Sequence, residues 1–218
     1  MDVVSARQIA SCLAAAALMF GCLLTAPVPS ASADGCPDVE VIFARGTGEP
    51  PGVGSVGQAF VNSLSSRVGG RSVGVYAVDY PATLNVLHAA AGANDVTGHL
   101  SYMAANCPNT RLVLGGFSQG AYVMDLVAGA PMPSVGFNGP ATPDVAQAVA
   151  AVAVFGNPSY RILGGPLSSL SPQYGGKAID LCNGNDPVCS NGTDRSAHSL
   201  YVESGMTSQA ANYVAGLV

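Results

Sequence analysis

Short apolar runs alternate with stretches of helical periodicity along this chain. Val39–Phe43, Val73–Val78, Leu112–Leu114, Val149–Phe155 and Ala178–Leu181 are brief and rich in Val, Ile, Leu and Phe, which predicts strands. Their apolarity is nearly continuous rather than alternating, as expected of a parallel sheet buried on both faces. Between them, Val56–Val68, a stretch near Val96–Ala105, Gln119–Ala128 and Val145–Ala148 read as covering helices, and Ser208–Val218 reads as a closing one. The pattern predicts an α/β fold. No internal repeat is present. Pro131 to Pro143 is a connection within one domain, and Gly164 to Gly176 reads as a surface loop whose leucines are either buried or face a substrate.

The ends change this picture. Arg7, an apolar run from Ile9 to Leu24 and the small residues Ala31-Ser32-Ala33 have the layout of a secretory signal, so residues 1–33 are expected to be removed and 34–218 to form one domain. The apolar run is shorter than the roughly 20 residues that span a bilayer. Only 10% of the residues are charged and the net charge is −5, with no basic cluster, which argues against a nucleic-acid partner. Beyond the leader, Cys36, Cys107, Cys182 and Cys189 allow three pairings. One of these closes a short loop from Cys182 to Cys189 and ties Cys36 to Cys107, and export favours such bonds. Neither a Cys-x-x-Cys pair nor a His-Glu-x-x-His pattern occurs, so a metal site is not expected.

Candidate chemistry centres on Gly116-Phe117-Ser118-Gln119-Gly120, between a predicted strand and a predicted helix. A serine flanked in this way can sit on a strained turn that exposes its hydroxyl as a nucleophile. In hydrolases of this build the chain order is serine, acid, histidine. Of His88, His99 and His198 only the last follows Ser118, so His198 is the candidate base. The acid is to be found among Asp125, Asp144, Asp180, Asp186 and Asp194. Asp125 rides the helix away from the turn, Asp144 suits a helix start, and Asp180 lies within the last strand. Asp186 lies in the loop just beyond that strand and is chosen. The backbone N–H of Gln119, the residue after the nucleophile, is a candidate oxyanion donor.

A rival pattern, Gly52-Val53-Gly54-Ser55-Val56-Gly57 with Asp79 further on, matches a dinucleotide-binding turn and would make the protein an oxidoreductase. Pro50, Pro51 and other residues separate those glycines from the first strand, where the pyrophosphate turn should follow directly. A rim loop is the expectation, and no cofactor. A non-catalytic binding protein on a hydrolase fold is the other competing class.

Phe43-Ala44-Arg45-Gly46-Thr47, Cys107-Pro108, Gly116–Gly120, Phe155-Gly156-Asn157-Pro158, the Cys182–Cys189 segment and His198 together resemble the cutinase family, over the whole chain after the leader. The resemblance implies a three-layer α/β-hydrolase with a five-stranded parallel core and no lid, and disulfides Cys36–Cys107 and Cys182–Cys189. It also implies a secreted serine esterase acting on lipophilic esters, a monomer in transient contact with lipid surfaces. Thr47 becomes the second oxyanion donor by the same resemblance. Phe117 stands where family members commonly carry tyrosine, a side chain expected to pack beneath the turn. The asparagine that supports the oxyanion residue is left between Asn85 and Asn94. The acyl or alcohol part of a substrate is expected against Pro81–Leu87 and Gly164–Tyr174.

Overall fold

Five parallel strands lie in the order β2-β1-β3-β4-β5 in a computed structural model that describes residues 35–218. The proposed leader therefore lies outside the described residues. The strands are β1 (Val39–Ala44), β2 (Val73–Ala77), β3 (Arg111–Phe117), β4 (Val149–Phe155) and β5 (Ala178–Leu181). Helices α1 (Gly54–Ser65), α2 (Ala89–Asn106), α3 (Gln119–Val127), α4 (Pro143–Gln147), α5 (Ser159–Ile162), α6 (Leu167–Leu170) and α7 (Met206–Ala215) connect and cover them. The α/β class and the five-stranded parallel core are as the residue pattern predicts, and both expected disulfides are formed, Cys36–Cys107 and Cys182–Cys189.

Side chains on the central strands divide between two cores, one on each face of the sheet. Ile42, Leu112, Leu114, Val152 and Val154 meet α2 and α3 through Val96, Leu100, Val123 and Met124. Val39, Val41, Phe43, Val113 and Phe155 meet α1 and α7 through Phe60, Leu64, Ala210 and Val214. The register of β3 on β4 shifts between Leu112 and Val113, so Val149 and Val152 share one core despite their odd spacing. Phe43, Phe60 and Phe155 pack with ring centroids 5.9 to 6.4 Å apart. Glycines at 57 and 115 accommodate this cluster, because a Cβ at either would fall 2.6 or 2.4 Å from the Phe43 ring.

Three elements differ from expectation for identifiable reasons. Helix α2 starts at Ala89, well before Val96, because its buried face there is made of Ala89, Ala90 and Ala93, which mute the apolar period. Strand β3 runs on through Gly115, Gly116 and Phe117. Glycine has little intrinsic strand preference, and pairing with β1 and β4 on both sides decides the matter. The segment Gly164 to Gly176 contains α6 and is not simply a surface loop. Leu167 and Tyr174 are fully buried in the α2/α3 core, and Leu163 and Leu170 pack against it, so this segment serves as core.

The closest backbone approach sits where β3 turns into α3. A Cβ on Gly120 would lie 1.9 Å from the Ala44 carbonyl oxygen, and one on Gly116 would lie 2.2 Å from the Gly120 carbonyl oxygen. Backbone cannot yield there as a flexible side chain would. Gly120→Ala is expected to cost about 3 kcal/mol or more in a urea titration. Gly98→Ala, on the same kind of element with open space around its Cβ, should add roughly 0.5–1 kcal/mol. Equal urea midpoints for the two variants would contradict the crowding.

Candidate active site

Ser118 stands between β3 and α3 with φ 54° and ψ −115°, a conformation that side-chain-bearing residues seldom adopt and that costs about 1–3 kcal/mol. Its N–H is held by the Phe155 carbonyl at 2.9 Å and its own carbonyl accepts from Tyr122 N at 3.2 Å, so β4 and α3 both grip the turn. The hydroxyl lies 2.8 Å from His198 Nε2. His198 Nδ1 lies 2.6 Å from Asp186 Oδ2, and the Asp186 side chain is fully buried while that of His198 is 21% exposed. The histidine comes from a 3-10 turn, Arg195–Ser199, whose N-terminus is capped by Asp194 accepting from Ser196 N. Asp186 sits in the loop closed by Cys182–Cys189, with Oδ1 accepting from Val188 N at 2.8 Å. An imidazole between a serine hydroxyl and a buried carboxylate is the arrangement required for general-base activation of an alcohol.

Phe117 does more than fill space beneath the turn. Its ring stacks on the His198 imidazole at 4.9 Å and lies against Gly46. Around the mouth, Arg45 is buried and staples the loop after β1 to the segment after β2, donating to the carbonyls of Glu49 at 2.9 Å and Tyr80 at 2.7 Å. Gly48 N donates to Ala82 O at 2.7 Å across the same seam. The amide of Gln119 is the first of α3, where N–H groups have no intrahelical acceptor.

Thr47 Oγ1 donates to Gln119 Oε1 at 3.3 Å, and Gln119 Nε2 donates to Thr83 O at 2.9 Å. Neither expected asparagine reaches Thr47. Asn85 caps Leu87 N, and Asn94 braces Gly136 and Asn138 in the connection before α4. The side chain that meets Thr47 is that of Gln119, a contact that sequence reasoning missed. Reading Gln119 only for its backbone hid it.

The other acids have separate employment. Asp144 lies in the first turn of α4. Asp125 is fully buried rather than merely pointing away, and Asn157 Nδ2 donates to both Asp125 Oδ1 and Asp180 Oδ2 at 3.0 Å. Asp180 also accepts from Leu167 N. This knot ties α3, the turn after β4 and β5 together beneath the site. Two glycines of the rival motif, Gly54 and Gly57, are crowded from within the chain, by Glu49 and Phe43. Glu49 accepts from Ser55 N at 2.8 Å and Gly46 N at 2.7 Å, and a Cβ on Gly54 would fall 2.3 Å from its carboxylate. A native carboxylate already occupies the N-terminus of α1, where a pyrophosphate would have to bind. Among the described residues, no group of three or more His, Cys, Asp or Glu is arranged to hold a metal ion.

A parallel sheet covered on both faces, with the serine at a strand-to-helix turn, defines an α/β-hydrolase. The family model described as Cutinase matches residues 35–218, and the chain belongs to the cutinase family. It is 52% identical over 214 residues to "Phospholipase Culp4" of Mycobacterium tuberculosis, covering 98% of this chain and 93% of that protein. It is 54% identical over 211 residues to "Probable carboxylesterase Culp3" of the same organism, covering 91% and 80%. Among solved structures, the Trichoderma reesei cutinase in complex with a C11Y4 phosphonate inhibitor superposes with a TM-score of 0.68 at 31% identity, covering 84% of this chain and 77% of that one.

The Asp125–Asn157–Asp180 knot has a pH signature. Burial holds the Asp125 carboxyl well above its usual range, opposed by the Asn157 hydrogen bond and helped by the Asp180 charge. Burial likewise pushes Asp180 up to about 6. Both groups bind protons more tightly folded than unfolded, so stability falls as pH rises from the ordinary value of 3.8, through about 6 for Asp180 and beyond for Asp125. Asp125→Asn keeps an acceptor for Asn157 and removes the share of that loss due to Asp125. Its melting temperature should match the parent near about pH 4 and exceed it increasingly toward about pH 8. A gap that does not vary with pH would count against ionisation of Asp125 as the cause.

Proposed function

We propose that this protein, a carboxylic ester hydrolase of the cutinase family, cleaves lipophilic esters through an acyl-enzyme formed on Ser118. The observation that carries the reading is the unbroken path from Ser118 Oγ through His198 to the buried Asp186, with separations of 2.8 and 2.6 Å. His198 Nε2 takes the Ser118 proton as the hydroxyl attacks the ester carbonyl. The same imidazole then protonates the departing alcohol and activates water for deacylation. Asp186 keeps the proton on Nδ1 and balances the imidazolium charge. The oxyanion is met by the N–H groups of Gln119 and Thr47, donors of a kind worth about 2.7–4 kcal/mol each. The Thr47 hydroxyl is steered by Gln119 Oε1.

Lipophilic substrates and transient contact with lipid surfaces are supported by exposed aliphatic side chains near both partners. Leu84, Val86 and Leu87 follow Thr83, and Leu200 and Val202 follow His198. The relatives named phospholipase and carboxylesterase fit the same substrate class. Of the two walls expected from sequence, Pro81–Leu87 keeps this role and the core-facing Gly164–Tyr174 does not. The chain acts as a monomer on this reading. Secretion is supported by two disulfides, which persist in oxidising compartments, and by the apolar leader in the sequence. No helix among the described residues is long and apolar enough to cross a membrane.

Ser118→Ala is expected to abolish labelling by a fluorophosphonate and to lower kcat for p-nitrophenyl esters by about 10⁴-fold or more. A panel graded by acyl length, run on the parent with this variant as blank, defines the substrate range. Undiminished turnover in Ser118→Ala would overturn the assignment.

A further inference from the structure

Asp186 carries more hydrogen bonds than a histidine partner requires. Its Oδ2 accepts from two donors at once, His198 Nδ1 and the Tyr201 hydroxyl, each at 2.6 Å, while Oδ1 takes Val188 N. The carboxylate is fully buried, and among the described residues its one ion-pair partner is His198. A buried anion so placed depends on hydrogen bonds to remain charged while the imidazole is neutral. Tyr201 is also fully buried. We propose that Tyr201 is a positioning residue for the acid–base pair, a role resting on the acyl-enzyme reading above: its hydroxyl shares Oδ2 with His198 and fixes that oxygen toward His198 Nδ1.

Three features direct that hydroxyl. Asn183 N donates to the Tyr201 oxygen at 3.2 Å, and of the two acceptors against the hydroxyl, Asp186 Oδ2 at 2.6 Å is nearer than the disulfide sulfur of Cys189 at 3.3 Å. The ring is held edge-on against Phe155 at 6.2 Å and Phe117 at 5.6 Å, and stands at 90° to the His198 imidazole. It is thus anchored to the aromatic cluster of the α1/α7 core, so the donor position is set by the sheet rather than by the loop that carries the acid. His198 and Tyr201 are three residues apart across the end of a 3-10 turn, a spacing that brings side chains over one another. Gly156 leaves room for both, since a Cβ there would fall 2.9 Å from His198 Cε1 and 3.1 Å from the Tyr201 oxygen.

Burial first, and then the bond to Asp186, raise the phenol above its usual range, so it stays a donor at any working pH. Other charged groups flank the pair: Asp180, whose charge reaches Tyr201 from β5, and Asp194 and Arg195 at the start of the turn that carries His198. All are unchanged by substitution at 201. Cys182 and Cys189 are joined and do not titrate.

The phenol disperses the carboxylate charge that the imidazolium would otherwise feel in full. Removing it should stabilise the protonated imidazole and free the carboxylate to rotate. In Tyr201→Phe, which keeps the ring, the acidic limb of log kcat/KM is expected to move upward by about half a pH unit or more. kcat should fall roughly tenfold with KM within about twofold. Replacing Tyr201 by 3,5-difluorotyrosine, a stronger donor of nearly the same shape, should move the limb the opposite way, and it carries the test should the Phe variant fail to fold. Limbs of either variant that superpose on the parent's, or that move in the same direction, would overturn the role. Ser118→Ala, assayed alongside, separates the two readings. If it retains turnover the acyl-enzyme itself fails, whereas if it is inactive and the limbs superpose, only the role of Tyr201 falls.

Discussion

The contact between Gly120 and the Ala44 carbonyl is the constraint on which the remainder depends. With the α3 backbone pressed against the end of β1, the chain leaving β3 has no room for a relaxed turn, and Ser118 is driven to φ 54°. That conformation sets the hydroxyl 2.8 Å from His198 Nε2 while α3 opens immediately behind it. The strain of about 1–3 kcal/mol is held in place by two cores that lock β1, β3 and β4 together. The stability of the sheet and the placement of the Ser118 hydroxyl are thus linked, since a softer core would let the turn relax.

From that turn outward, the site is an exercise in holding polar groups still inside apolar surroundings. Glu49 caps α1 and grips the loop bearing Thr47, Arg45 fastens that loop to the segment after β2, and Gln119 links Thr47 to Thr83. On the opposite side, the Cys182–Cys189 loop presents Asp186, and the aromatic ring of Tyr201 reaches it from the core. Below, Asn157 Nδ2 donates to one oxygen of each of two carboxyls, Asp125 and Asp180. Most of these connections, Arg45 to Tyr80, Thr47 to Gln119 and Asn157 to Asp125 among them, join segments distant in the chain. Catalytic groups need fixed mutual geometry, and long-range ties supply it where local structure is only loop.

Much of this was legible in the residues. Strands such as Val149–Phe155 announce themselves because both faces are apolar, and the glycines around Ser118 mark a turn that only a small backbone can make. His198 followed from chain order and a scarcity of histidines, and Asp186 from its place past the last strand. The structure sets these side chains within hydrogen-bonding reach of one another. Less legible were places where one residue does two things. Gln119 was read for its backbone, Glu49 and Arg45 passed as loop residues, and Asp125 looked like a carboxylate turned away from the turn. Gln119, Arg45 and Asp125 carry no local signature, because their partners lie far along the chain and are set by packing.

By itself, then, the chain determined the order and type of its elements, the turn on which Ser118 sits and the family to which the whole belongs, since these depend on periodicity, backbone freedom and residue type within short windows. Tertiary structure alone decided which polar groups meet: Thr47 with Gln119 rather than an asparagine, Asn157 with two acids, Tyr201 with Asp186. Hydrogen bonds act over about 3 Å, and whether residues far apart in the chain come that close is settled by the packing of the sheet between its two layers of helices.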